Sequence, residues 1–278
     1  MVSGMEEEFL RHYNQDLFAK TALKVLYDRA QEDGDTFKIL FKTRDALITK
    51  APENIVLRNT TEAFLTKLSL HDIREESRKK YTKILSEMDS AEQELKTNTA
   101  KKIKSGKTIF IHSFNNQLIA AAEHVSRYKK ATLRMIDHHP LKFGKRYYED
   151  LKTRQRKAEL FFDLAITKAI EGAALCLLGG DLITEEGNII VKSGSKTVAD
   201  TARKNNIPTY VCISSWKYDQ KGQTKKHMLS YNNHNEKKGD FYEELPNSKI
   251  TGIITEHGIF KPKKIIIEIK NFNKHFNH

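Results

Sequence analysis

The sequence predicts an α/β protein, in which an N-terminal helical module precedes a parallel sheet with helices on both faces. Three observations carry this. The first hundred or so residues place apolar side chains at threes and fours, and glycine is absent between Asp35 and Ser105. From Ser105-Gly106 onward, short apolar runs alternate with stretches long enough for a crossover helix. Those runs are bounded by polar or glycine residues, as buried parallel strands are. The expected division is a helical domain over 1–105 and an α/β domain over 106–278.

The helical elements come first. Leu10 to Tyr27 carries Leu10, Tyr13, Leu17, Phe18, Ala22, Val25 and Leu26 near a helical period. Phe37 to Ile48 and Thr60 to Leu68 repeat the pattern. Ser69 is placed to cap a long helix through Ile73, Tyr81, Ile84, Leu85, Met88, Ala91 and Leu95. This apolar stripe reads as a core-facing surface. The expected strands are Thr108–Ile111, Thr132–Ile136, Leu160–Phe162, Ala174–Leu178, Pro208–Ile213 and Ile250–Ile254. Together they describe a Rossmann-like α/β domain. The polar segment Tyr218–Asp240 reads as a surface loop between two strands.

Bulk composition narrows the function classes. The chain has 278 residues, 38% hydrophobic and 30% charged, which is enough to fill a core. No run of about 18 apolar residues is present, so no membrane partner or span is expected. The acidic start, Glu6-Glu7-Glu8, lacks a secretory pattern, and Cys176 and Cys212 sit in separate apolar runs. Both features fit a reducing cytoplasm. The formal charge of +12 favours polyanionic or phosphorylated partners, although the lysines form no single long block.

In open parallel sheets, ligands bind outside the carboxyl ends of the strands. The expected strands end in His112-Ser113-Phe114-Asn115-Asn116, Asp137-His138-His139-Pro140, Asp163, Gly179-Gly180-Asp181, Ser214-Ser215-Trp216-Lys217 and Thr255-Glu256-His257-Gly258. Each delivers a polar group to the same edge, which is a diffuse pocket signal. Lys192-Ser193-Gly194-Ser195 precedes a helical stretch, Thr197–Lys204, and a helix start beside a lysine can hold phosphate. A β-turn with Ser195 as an ordinary N-cap fits the same residues. There is no Cys-x-x-Cys, no third ligand for His138-His139, no Walker lysine motif, no Gly-x-Gly-x-x-Gly and no serine-hydrolase elbow. No metal and no cofactor are expected.

The run Gly179-Gly180-Asp181-Leu182-Ile183, then Gly187-Asn188, Lys192, Gly194-Ser195 and Ala199, resembles a Gly-Ala-Asp … Asn-Lys-x-Gly-Thr signature. That signature belongs to the alpha, beta and delta subunits of translation initiation factor 2B. It is shared with ribose-1,5-bisphosphate isomerase and methylthioribose-1-phosphate isomerase. Phe241–Pro246 with Ile250–Gly258 and Pro262 is similar to the family's closing motif, and Ser105–Ser113 to its entry into the first strand. Arg58-Asn59-Thr60-Thr61 resembles a helical-module arginine motif.

The resemblance implies roles. Asp181 matches the isomerases' catalytic aspartate, and Ser113 stands where they carry a cysteine. A hydroxyl is far less acidic than a thiol and makes a poor general acid. Arg58, His139, Lys192, Gly194 and Ser195 are the implied phosphate-binding residues. The phosphate-gripping Glu-Ser-Arg-Pro reads Asp137-His138-His139-Pro140, so a guanidinium clamp is lost. Val191 replaces the asparagine of Asn-Lys. The implied function is a noncatalytic regulatory subunit with a remnant sugar-phosphate pocket. It would form a homo-oligomer, with translation initiation factor 2 and a phosphorylated sugar or nucleotide as partners. The alternatives are an aldose–ketose isomerase, with Asp181 and Ser113 catalytic, and an RNA-binding or ligand-sensing protein.

Overall fold

The computed structural model describes residues 14–69, 72–139, 142–230 and 240–273. Four helices come first: α1 (Gln15–Ala30), α2 (Thr36–Lys50), α3 (Ile55–Leu65) and α4 (Ile73–Lys101). Asparagine and aspartate side chains set three of the starts. Asn14 accepts the Leu17 amide at 2.9 Å, Asn54 the Leu57 amide at 2.9 Å, and Asp35 the Lys38 amide at 3.4 Å. Each satisfies one of the orphan N–H groups at a helix start, and losing such a cap costs about 1 kcal/mol. The α4 helix begins after Asp72, not at Ser69. The Ser69 amide instead donates to Glu76 at 2.6 Å, so the serine receives a cap rather than providing one. Leu10 and Tyr13 of the expected first helix lie outside the described residues.

The second part alternates strands and helices. The main sheet has seven strands in the order β10-β9-β7-β4-β1-β2-β3. These are β1 (Thr108–His112), β2 (Thr132–Ile136), β3 (Ala158–Phe161), β4 (Leu175–Gly179), β7 (Thr209–Cys212), β9 (Gly252–Thr255) and β10 (Gly258–Phe260). All pairings are parallel except β9 with β10. The helices are α5 (Asn116–Tyr128), α6 (Phe143–Thr153), α7 (Ile166–Ile170), α8 (Ser195–Lys204), α9 (Gln223–Leu229) and α10 (Ile265–Asn273).

Strand alternation divides the interior in two. Ile109 and Ile111 of β1, with Leu175 and Leu177 of β4, pack into one cluster with Leu118 and Val125 of α5 and Leu95 of α4. Phe110, Cys176 and Leu178 point the other way, onto Ile170 of α7, Val198 and Ala202 of α8 and Ile265 of α10. Helices therefore cover both faces, and the Rossmann-like α/β reading holds. Both cysteines are buried in these layers, with thiol pKa values pushed up to about 12 by burial.

Three local readings differ from the structure. A small antiparallel sheet, β5 (Leu182–Ile183), β6 (Ile189–Lys192) and β8 (Tyr242–Leu245), crosses the carboxyl end of the main sheet. Its strands are two to four residues long, too short for a periodic signal. The segment expected as one loop, Tyr218–Asp240, contains α9, begun at Gly222 in the left-handed region with φ 63°. The Thr224 and Lys225 amides donate to the Asp219 carboxylate at 2.8 and 2.9 Å, so an acidic side chain fixes this helix start. The third strand is Ala158–Phe161 rather than Leu160–Phe162, and Phe162 lies outside it, largely exposed. No helix among the described residues is long and apolar enough to cross a membrane.

Candidate functional site

The site is built where β1 and β4 end beneath the small sheet. β4 runs straight into Gly179-Gly180-Asp181. A Cβ at residue 179 would come within 2.2 Å of the Ser113 carbonyl oxygen, so only glycine allows the two strand ends to pass. This close approach delivers Asp181 beside the end of β1.

Asp181 is fully buried and sits between two fully buried lysines. Lys192 Nζ, carried in by β6, is 2.8 Å from one carboxylate oxygen, and Lys217 Nζ is 3.9 Å from the other. Lys217 also donates to the Gly180 carbonyl at 3.0 Å. The Asn115 amide donates to the Gly180 carbonyl at 2.9 Å and to Asp181 at 3.4 Å, while its own oxygen caps α5 through the Leu118 amide at 2.8 Å. Two ammonium groups against one carboxylate leave a buried excess of positive charge. Burial holds the Lys192 pKa below the ordinary lysine value, with Asp181 opposing the shift. The aromatic rings of Phe143 and Tyr242 lie 5.8 and 6.0 Å from its ammonium.

Ser113 is also fully buried, with φ 58°. Its hydroxyl donates to the Gly179 carbonyl at 2.7 Å and accepts the Lys192 amide at 3.0 Å. It therefore ties three strand ends together through the main chain. Ser195 behaves alike: its hydroxyl donates to the Lys192 carbonyl at 2.6 Å. It caps nothing, because the N-cap is Gly194, at φ 93°. At the start of α8 the Lys196 amide donates to Glu243 at 2.8 Å, so a carboxylate from the small sheet already occupies part of this helix terminus. Added at Gly194, a Cβ would lie 3.3 Å from His112 Nε2.

Two histidines complete the wall. His112 ends β1 and is fully buried, with Nε2 donating to the Ser193 carbonyl at 3.2 Å. Its ring lies 4.8 Å from that of buried His138, which in turn faces Phe143 at 5.4 Å. Burial lowers the His112 pKa from 6.5 to about 4 and pushes His138 well below 6.5, so both rings are neutral at pH 7. Nδ1 of each ring is buried and has no partner among the described residues. Asp163 holds this wall in place, accepting the His138 and His139 amides at 2.6 and 2.8 Å.

The sequence-derived site residues separate into two groups. Asp181, Ser113, Lys192, Gly194 and Ser195 come together. The side chains of Arg58 and His139 make no hydrogen bond or ion pair with that group. The His139 side chain is exposed. Arg58, on α3, donates to Gln223 and Thr224 at 3.2 Å each and lines a cleft of about 90 Å³ with Asn59, Glu62, Trp216 and Lys221. Pro140 lies outside the described residues. The sequence assigned no role to Lys217, Asn115, His112 or Glu256. Glu256 accepts from the Ser214 hydroxyl at 3.0 Å and from the Ser215 hydroxyl at 2.6 Å and amide at 3.0 Å, which fixes the turn that carries Lys217. Position at a strand's carboxyl end was the available signal for all four.

Residues 16–262 match the initiation factor 2 subunit family. A protein of Pyrococcus furiosus named as translation initiation factor eIF-2B subunit 2-like is 24% identical over 184 residues, covering 64% of this chain and 67% of its own. The solved structure of translation initiation factor eIF-2B from Pyrococcus horikoshii OT3 superposes with a TM-score of 0.79 at 21% identity, over 95% of this chain and 98% of that one. The structure of 5-methylthioribose 1-phosphate isomerase from the same organism superposes with a TM-score of 0.74 at 16% identity, over 98% and 88%. At these identities the superpositions establish the fold, which a translation initiation factor and an isomerase share.

Proposed function

The chain belongs to the initiation factor 2 subunit family, and on that basis we propose that it is a noncatalytic, initiation factor 2B-like regulatory subunit. In this reading it retains an anion-accepting site for a phosphorylated sugar or nucleotide, and it works as a homo-oligomer that engages initiation factor 2 in the cytoplasm. The observation that carries the noncatalytic reading is the engagement of Ser113. Its hydroxyl is bonded on both sides to main chain, to Gly179 and to Lys192. A group held in that way has its proton committed to the main chain and has none free to offer a substrate. Asp181 is held likewise between two ammonium groups and Asn115, so it is a structural counter-charge rather than a waiting base. The two buried ammonium groups beside the single Asp181 carboxylate support the anion site. Lys192, Ser195 and Gly194 border it.

The isomerase reading draws its support from Asp181 and Lys192, which sit 2.8 Å apart where the family signature has them. The two readings separate on purified protein. Incubation with methylthioribose 1-phosphate or ribose 1,5-bisphosphate should give no turnover, while some phosphorylated sugar or nucleotide should raise the melting temperature. A ligand at a hundredfold excess over Kd stabilises by about 2.7 kcal/mol. Turnover that disappears in Asp181→Asn would overturn the noncatalytic reading. No stabilisation by any phosphorylated compound would overturn the anion site. A monomer in sedimentation, or no capture of initiation factor 2, would overturn the regulatory assignment.

A further inference from the structure

Parallel pairing brings every strand of the main sheet except β10 in from one edge, opposite the candidate site, and four of the loops at that edge are basic. Residues 101–107 lead into β1, 127–130 into β2, 152–157 into β3 and 203–208 into β7, and none of these stretches contains an aspartate or glutamate. Register holds them side by side. Thr108 pairs with Thr132, Leu133 with Ala158 and Cys176 with Thr209. Main-chain bonds join the loops themselves: Gly106 N–H to the Lys129 carbonyl at 2.8 Å, Thr132 N–H to Lys107 at 3.1 Å and Leu133 N–H to Lys157 at 3.0 Å. With strands about 4.8 Å apart, the order β7-β4-β1-β2-β3 makes a stripe roughly 19 Å long, basic except at the entry to β4, where Glu171 pairs with Lys168.

Helix termini explain only part of this charge. The α4, α5, α6 and α8 helices all end at this edge, and their last turns carry Lys101, Arg127, Lys152 and Arg203-Lys204, as the negative end of a helix dipole favours. Lys104, Lys107, Lys130 and Lys157 lie beyond those turns. All four are exposed, and among the described residues none has an ion-pair partner. Lysines without counter-charges repel one another, so a row of them is a cost to the free protein that a polyanion would remove. In the middle of the stripe, at the end of α5, stands Tyr128. It is 63% exposed, with the Arg127 guanidinium 5.4 Å from its ring and the His124 ring tilted against it at 4.6 Å.

We propose that this edge binds nucleic acid, with Lys104, Lys107, Lys130 and Lys157 on successive phosphates and Tyr128 stacking an unpaired base. An exposed aromatic ring among cations is the arrangement that single strands use. A lipid surface fits less well, because Tyr128 is the one large exposed apolar side chain that the described residues place in these stretches. The stripe and the Asp181 site lie at opposite ends of the strands, so both can be occupied at once.

Fluorescence anisotropy with a labelled single-stranded RNA of about 20 nucleotides tests this. Log affinity should fall with log salt at a slope of about −3, close to −0.7 for each of four phosphates. Replacing Lys104, Lys107, Lys130 and Lys157 by Gln should weaken binding about tenfold or more and flatten the slope. The same replacement of Lys38, Lys42 and Lys50, exposed on α2, should change neither. Tyr128→Ala should weaken single-strand binding about tenfold with the slope unchanged, since stacking is uncharged, and should leave duplex RNA binding alone. Single-stranded DNA of the same sequence should bind comparably, as phosphates and base faces are shared. Matching circular dichroism spectra establish that the variants are folded. Undiminished binding by the four-lysine variant would sink the proposal. So would a flat salt response, or displacement of RNA by 4:1 phosphatidylcholine–phosphatidylserine vesicles.

Discussion

Replacing Asp181 by Asn tests the electrostatics of the candidate site directly. The substitution keeps the shape and removes one charge, leaving Lys192 and Lys217 buried together without their shared counter-ion. Breaking a fully buried ion pair from one side costs about 3–5 kcal/mol, because an uncompensated charge remains in low dielectric. For a chain of 278 residues, a melting entropy near 2.1 cal/mol/K per residue makes this a fall of roughly 5–9 °C in Tm. Urea denaturation followed by circular dichroism should show the same loss with m unchanged. Asp181→Asn combined with Lys217→Met should recover a good part of it, since the second change removes one of the two stranded cations. A loss under about 1 kcal/mol for the single variant would refute the reasoning, because it would mean that the carboxylate is not what neutralises the lysines. The same measurement bears on function. An aspartate kept for proton transfer should lose activity when changed and leave stability nearly intact.

Three further outcomes follow from neighbouring groups. His112 has its pKa lowered from 6.5 to about 4, and His138 is lowered too, so the unfolded chain binds more protons than the folded one across that interval. Stability should therefore be fully present above about pH 6.5 and fall as pH drops toward 4, by about 3 kcal/mol for His112 alone. Acid titration of urea midpoints checks this, and His112→Asn should flatten the profile. Ser113→Ala strips partners from the Gly179 carbonyl and the Lys192 amide, both buried, and should cost about 1–3 kcal/mol. Gly179→Ala forces a Cβ to 2.2 Å from the Ser113 carbonyl and should give insoluble or unfolded protein, which the soluble yield on expression checks.

What the sequence disclosed, and what it hid, follows from the range over which each signal acts. Alternation of apolar runs with helical stretches marks a parallel sheet, because burial on both faces demands continuous hydrophobic strands such as Leu175–Gly179. Ten-residue helices with apolar stripes are similarly visible. The β5-β6-β8 sheet was not, because strands of two to four residues carry no period and β6 pairs with β8 across at least fifty positions of chain, as Lys192 does with Tyr242. The grouping of Asp181, Ser113 and Lys192 was carried by a family-like motif and not by spacing. Lys217 was invisible as a partner because burial of a lysine depends on a carboxylate 36 positions away. Ser195 shows the opposite failure: the residue type suits a cap, yet its hydroxyl turns back to the Lys192 carbonyl because Gly194 takes the left-handed turn.

The 29-residue α4 helix spans about 44 Å and is held at both ends. Near its start, Ser77 bonds Gln31 at 2.9 Å and Glu76 grips the Ser69 amide. In its last turns, Asn98 donates to the carbonyls of Thr255 and Glu256 at 3.0 and 3.1 Å. Such a strut does not absorb a push. One helix therefore fastens the outer helices to the Glu256 segment, and so to the turn that suspends Lys217 over Asp181.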